Sequence, residues 1–198
     1  MGVTRATEPR PAVREALQTA LGGAPSSFRE RVRRLLAAHD LTAAAEIRRR
    51  LETTPARPGF DGWGLDTRVR PLAWQAWVLD HAPVGVTLTG AAYHDNPLQY
   101  ANLAFRELTG HDTTRLSGAN PRLLQTETTD CERVADFVEA LRTWEPVTVE
   151  LDNERADGTP FRNRVSLVPV AGDDGTVEHW FGVQAAVAWP EGPPDGEG

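Results

Sequence analysis

Apolar residues recur along this chain at two spacings, helical in its first third and alternating in its last. PAVREALQTALGG opens on Pro11 and is stopped by Gly22-Gly23, which predicts a short helix. Phe28, Val32, Leu35 and Leu36 then repeat at helical intervals, after a Ser27 that stands three before Glu30 in a capping-box pattern. Leu41, Ile47 and Leu51 mark a third helix from about Thr42, with Arg48-Arg49-Arg50 on its polar side. Helices this short are unstable alone. They must pack on each other, on the following domain, or on a second subunit, and we treat 1–52 as one basic helical extension. TTPARPGFDGWG is rich in proline and glycine and reads as a linker, drawn over 53–70. Helical character returns over 71–83, where Trp74, Trp77 and Val78 form an apolar stripe.

From Val84 the pattern changes. VGVTLTG reads as a strand, DNPLQYAN as a turn and a second strand, and residues 102–110 as a helical turn or two ended by Gly110. A longer helix is predicted at about 130–143, with Thr129 and Glu132 as a capping box. Three strands follow at 147–155, 160–171 and 176–187, joined by the hairpin signals Asp157-Gly158 and GDDG. This order predicts an α+β fold over 84–188, a five-stranded antiparallel sheet with short helices on one face, preceded by the N-terminal helical extension. Residues 189–198 are acidic and rich in Pro and Gly, and read as a disordered tail.

Composition narrows the function. All 21 basic residues are arginine. Residues 1–60 hold 11 Arg against 6 acids and residues 61–198 hold 10 against 22, so a segment of +5 precedes one of −12. That asymmetry raises the possibility of a DNA-binding regulator, and HDLTAAAEIRRRL has a faint helix-turn-helix flavour, but no recognition helix follows it. Nucleic acid is therefore the less favoured partner. The single cysteine, Cys131, excludes an internal disulfide, and no cluster has metal-ligand spacing. No apolar run approaches the roughly 18 residues of a membrane span, and no signal-peptide layout is present. A soluble, cytoplasmic protein without a membrane partner is expected. No kinase, phosphatase or cyclase motif appears, so the chain reads as a non-enzyme.

GANPRLLQ (118–125) resembles the flavin-binding signature of LOV domains, the blue-light-sensing branch of the PAS fold, where the pattern is G-x-N-C-R-F-L-Q and the cysteine bonds to the flavin after illumination. DNPLQYANLAF, TVELDNERADGTPFRN and FGVQ keep the family's spacing over about 84–187. The resemblance implies that Asn120 and Gln125 hydrogen-bond the flavin side chain and ring edge, that Arg122 pairs with a phosphate, and that Asn153 and Asn163 bind the pyrimidine carbonyls. It implies that Gln184 contacts the ring near its reactive nitrogen, and that Phe105, Leu124, Leu167, Thr87 and Thr89 line the ring. The residues support this chemically. Side-chain amides both donate and accept, as a pyrimidine edge requires, and a cation suits a phosphate. Trp180, Gly182 and Gln184 alternate on one strand and share a face, with Gly182 leaving room for close approach.

The departures matter as much. Pro121 stands at the adduct cysteine's place, where a proline can open a short helix. The family's second phosphate arginine falls at Val138, which leaves FMN, riboflavin and FAD open, with Arg133 a substitute candidate. Cys131 lies too far along the chain to restore adduct chemistry. We therefore expect a light or redox sensor that works by reduction of the flavin to its semiquinone, with Trp180 the first candidate electron donor and Trp144 and Tyr100 weaker ones. Rotation of the Gln184 amide would carry the change to the N-terminal helices and the Trp74/Trp77 helix, and from there to a partner protein or a second subunit in a homodimer. The alternative is a ligand-free PAS interaction module.

Overall fold

A computed structural model describes residues 10–189 apart from 57 and 173; the predicted acidic tail beyond Trp189 lies outside the described residues. Helices α1 (Pro11–Gly22), α2 (Phe28–Ala38), α3 (Ala44–Leu51) and α4 (Arg70–Val78) precede the sheet. Strands β1 (Gly85–Thr89) and β2 (Leu98–Ala101) lead into α5 (Leu103–Thr109), α6 (Thr113–Leu116), the 3-10 turn Pro121–Leu124 and α7 (Cys131–Thr143). Strands β3 (Val147–Glu154), β4 (Pro160–Ala171) and β5 (Val177–Val187) complete it. All pairings are antiparallel and the order is β2-β1-β5-β4-β3. The alternation in β5 sends Trp180 and Gln184 to the inner face, where α7 and the 3-10 turn lie. Among the described residues no helix is long and apolar enough to cross a membrane, and no group of His, Cys, Asp or Glu is placed to hold a metal ion.

Asn102, fully buried, explains why the YAN stretch is what it is. Its Oδ1 accepts from Val86 N at 2.8 Å and Phe105 N at 2.9 Å, while Nδ2 donates to Leu79 O at 2.8 Å and Val84 O at 3.1 Å. One side chain thus caps α5 and closes the β1 entry, satisfying backbone groups that burial would otherwise leave unpaired. The two anticipated capping boxes do not form. Ser27 makes no side-chain cap; its Oγ donates to Ala24 O and accepts from Arg31. Helix α7 is capped by Asp130, one residue after Thr129, whose hydroxyl instead donates to Asp152 O.

The outer face of the sheet is covered rather than open. Helix α1 packs on β4 and β5, and α4 on β1 and β2. Leu17, Leu21, Phe28, Ile47 and Trp74 share one core with Phe181, Val183 and Ala185. Trp74 is buried against Phe28 at 5.6 Å between ring centroids, with Arg29 over its ring, so it is packing within the chain and not a free docking surface. Among its described residues the 53–70 stretch has no regular strand or helix up to Arg70, yet it is not a loose linker: Phe60 and Trp63 pack on Tyr100, edge-on and tilted, at 5.5 and 5.2 Å between ring centroids. Burial, reinforced by the neighbouring Asp80 charge, holds the Tyr100 phenol far above its usual pKa.

The arginines of the extension are staples. Arg31 donates to Ala20 O and Ala24 O at the end of α1, Arg29 to Thr53 O, and Arg48 to Leu36 O. Arg33, Arg34 and Arg49 pair with Glu52, Glu30 and Glu46. Arg50 reaches Asp80 at 3.0 Å, with both side chains only 10% exposed. Every arginine of α1–α3 therefore has a partner within the chain, although among the described residues Asp80 is the one acid from beyond the extension that offsets its positive charge.

Candidate functional site

Between the inner face of the sheet, the 3-10 turn and α7 lies a cavity of about 600 Å³. Asn120, Pro121, Arg122, Leu124, Gln125, Asn153, Asn163, Leu167, Trp180 and Gln184 all line it, so residues as far apart in sequence as Asn120 and Gln184 meet around one space. The β3–β4 register puts Asn163 opposite Leu151 and Asn153 opposite Phe161, and β4–β5 pairing sets Val165 against Gln184. The result is a chain of amides. Asn163 Nδ2 donates to Asn153 Oδ1 at 3.0 Å and to Gln184 Oε1 at 2.9 Å. Gln184 Nε2 donates to Thr87 Oγ1 at 3.4 Å. Asn163 is fully buried and its Oδ1 has no hydrogen-bond partner. Buried acceptors are seldom left so. A ligand N–H at the cavity wall would satisfy it.

The apolar wall makes the same point. Val134, Phe137, Val138 and Leu141 form the helical stripe of α7, but they face the cavity, and Ala140 is the one buried residue of that helix. Tyr93, Val138 and Trp144, the large hydrophobics most exposed among the described residues, all border the same space. Leu151, Val165 and Val177 add branched groups from the sheet. An apolar body with a polar edge fits this lining.

Several expectations need correction. Phe105, Thr87 and Thr89 are buried but do not line the cavity. Thr87 stands behind Gln184, Thr89 Oγ1 donates to Asn96 Oδ1 at 2.7 Å, and Phe105 packs against Gly85 of β1. Gly182 makes room for the chain rather than for a ligand, since a Cβ there would lie 2.4 Å from Thr87 Oγ1 and 3.2 Å from Gln184 Nε2. Gly182→Ala should therefore cost about 1–3 kcal/mol by overpacking, read by urea denaturation; a cost within error of zero would show that Thr87 can yield. Tyr100 sits in the Phe60/Trp63 cluster, away from the cavity, which weakens it as an electron donor. Trp180 is 1% exposed and in the wall.

Pro121 opens the 3-10 turn, and Asn120 caps it by accepting from Arg122 N at 2.8 Å. The Asn120 amide also donates to Asp95 O at 2.6 Å, and the Arg122 guanidinium pairs with the Asp95 carboxylate. Asp95 reaches this position because it and Asn96 adopt left-handed backbone conformations, φ 65° and 49°. Arg133 is exposed and does not line the cavity; Arg142, one helical turn beyond Val138, does. The α7 stripe was legible from its spacing, and Arg142 lies on the continuation of it. No cysteine lines the cavity: Cys131 is exposed, its Sγ 3.9 Å from Thr129 O.

An antiparallel five-stranded sheet with an amide-walled cavity under a flanking helix is the architecture of a PAS domain. The chain belongs to the PAS domain family, whose pattern matches residues 83–184, and its solved neighbours are LOV domains. The light-state structure of the blue-light photoreceptor Aureochrome1 LOV is 33% identical with a TM-score of 0.52, over 56% of this chain and 86% of that one. The LOV domain of the Erythrobacter litoralis EL346 blue-light activated histidine kinase is 33% identical with a TM-score of 0.51, over 54% of this chain and 98% of that one. Among longer relatives, the Bacterioopsin transcriptional activator of Halobacterium salinarum is 39% identical over 110 residues. Blue-light-activated histidine kinase 1 of Erythrobacter litoralis is 34% identical over 119 residues. The chain spans 16% of the first of these and 33% of the second, matching each over 56% and 60% of its own length.

Proposed function

We propose that this chain is a flavin-binding sensor of blue light or redox state that signals without a cysteinyl adduct. The observation that carries the reading is the amide chain Asn153–Asn163–Gln184 beside the cavity, with its buried, unpartnered acceptor. The blue-light relatives agree with it. The chain's part is sensory, and it spans only 16% and 33% of the transcriptional-activator and histidine-kinase relatives.

When bound, a flavin supplies blue-light absorption and one-electron redox chemistry. Trp180 is the candidate electron donor, a buried indole in the cavity wall. Gln184 is the residue placed to respond. Rotating its amide would turn Nε2 toward Asn163 Nδ2, donor against donor, so Asn163 must rotate with it. The Asn163 Oδ1 would leave the ligand to accept from Gln184, and the Asn153 amide must turn as well, because its Oδ1 would otherwise face that acceptor. Thr87 tolerates either state because a hydroxyl both donates and accepts. The amides thus switch as a set. Under blue light with a reductant and no oxygen, the visible absorption of the flavin-loaded protein should bleach, and Trp180→Phe should slow the bleaching and brighten emission. An unchanged wild-type spectrum would overturn the sensory reading.

FMN is the ligand form the cavity favours. Arg122 is engaged by Asp95, whereas Arg142 makes no hydrogen bond or ion pair among the described residues. Arg142→Gln should weaken FMN by up to about fivefold, the worth of an exposed charge pair near 1 kcal/mol, and leave riboflavin binding unchanged. Equal losses for both would remove Arg142 from the phosphate. Output passes through the N-terminal helices to a partner or a second subunit. A ligand-free interaction module has less support, because it leaves the α7 stripe and the Asn163 acceptor without a role.

A further inference from the structure

Arg14 of α1 is 5% exposed, although a charged residue on a short amphipathic helix belongs in solvent. It lies across the β4–β5 seam on the outer face of the sheet, opposite the face that carries Gln184. Its Nη2 donates to Val183 O and to Arg164 O, both at 2.8 Å, and reaches Ser166 Oγ at 3.2 Å, with Nε at 3.3 Å from the same hydroxyl. Gln18, one turn on, donates to Ser166 Oγ at 2.8 Å, and Ser166 shares a hydrogen bond of 2.7 Å with Thr148. Ser166 pairs with Val183 and Val165 with Gln184, so this fork spans the β4–β5 seam at the register of the switching amide. The Val183 carbonyl belongs to the same planar peptide unit as the Gln184 N–H.

A buried guanidinium is a poor choice for stability alone, since apolar replacement of buried ionic groups is often neutral or better. It is a good choice for reading geometry, because a planar fork loses its hydrogen bonds when two carbonyls shift relative to each other. We propose that Arg14 is the positioning residue that couples Gln184 to α1, so that a change at the Gln184 amide is felt as loosening of that helix from the sheet. This rests on the sensory reading above only for its stimulus. The coupling itself is a property of the chain, and it is reciprocal.

Hydrogen exchange over residues 11–22 tests it without any ligand. In flavin-free protein, Gln184→Leu should raise α1 exchange in the wild-type background and leave it unchanged when Arg14→Met is also present. Arg31→Met serves as the control for mere loosening: it strips the carbonyl caps from the end of α1 without touching β4 or β5, and should raise exchange while preserving the Gln184→Leu increment. Ser166→Ala, a milder cut in the same network, should shrink the increment and guards against Arg14→Met failing to fold. In flavin-loaded protein, light should raise α1 exchange with Arg14 and not with Met. An undiminished Gln184→Leu increment in the Arg14→Met and Ser166→Ala backgrounds, or no increment in either Arg14 or Met protein, would overturn the coupling. Failure to retain flavin would show itself separately, as colourless protein in which the ligand-free cycle still reads out.

Discussion

Asn163→Leu should weaken flavin binding by about 10- to 100-fold, the equivalent of roughly 1–3 kcal/mol for one buried hydrogen-bonding group. Leucine matches asparagine in heavy-atom count and branching, so the cavity keeps most of its shape. What is lost is chemical. The acceptor at the wall disappears, and Asn153 Oδ1 and Gln184 Oε1 lose the Nδ2 that now serves both. Gln184 would then rest on its 3.4 Å contact to Thr87 alone. Titration of the variant with FMN, followed by fluorescence, measures the loss; unchanged affinity would mean that the amide chain organises the sheet and not a ligand. Asn163→Asp separates the two roles, since it keeps an acceptor and removes the donor.

Asp80→Ala should destabilise the flavin-free protein by about 3–5 kcal/mol, the usual consequence of leaving a buried charge without its partner. Asp80 Oδ2 accepts from Arg50 at 3.0 Å, while Oδ1 accepts from Leu103 N at 2.6 Å and from the Tyr100 hydroxyl at 3.4 Å. One carboxylate therefore joins α3 of the extension, the start of α5 and the aromatic cluster over β2. Arg50 retains Glu46 at 2.7 Å and the Trp77 carbonyl at 2.8 Å. Hydrogen bonds from Arg49 first and Arg50 second lower the Glu46 carboxyl to a pKa of about 2, but this partly exposed carboxylate does not replace the buried Asp80. Urea denaturation gives the number, and Asp80→Asn, which keeps an acceptor for Leu103 N, should recover part of it. A loss below about 1 kcal/mol would place the pair in the class of exposed ion pairs.

How much of this was legible beforehand follows from which interactions are local. The strands showed through because their alternation and the Asp157-Gly158 turn are written in adjacent residues; Gly158 takes φ 82°, as such a turn requires. The amides at 153, 163 and 184 could be placed from spacing because a hairpin fixes register. Partners that depend on distant chain were not legible. The Arg122–Asp95 pair forms because Gly118 N and Ala119 O bond to Leu98, bringing two loops together. Whether Thr87 or the ligand fills the space over Gly182 depends on the β1–β5 register. The burial of Arg14 was not legible, because an amphipathic helix does not say what it will cover. The capping error at α7 had another origin: Thr129 and Asp130 are both good caps, and the hydroxyl was drawn away by Asp152 O.

The central claim is that this cavity holds a flavin, and ligand retention tests it most directly. The full chain would be refolded or expressed with excess FMN, desalted, and its visible spectrum recorded before and after denaturation. The account predicts a structured flavin absorption that survives desalting, with free FMN released in proportion to protein only on unfolding. A folded, colourless protein that releases no flavin would contradict it.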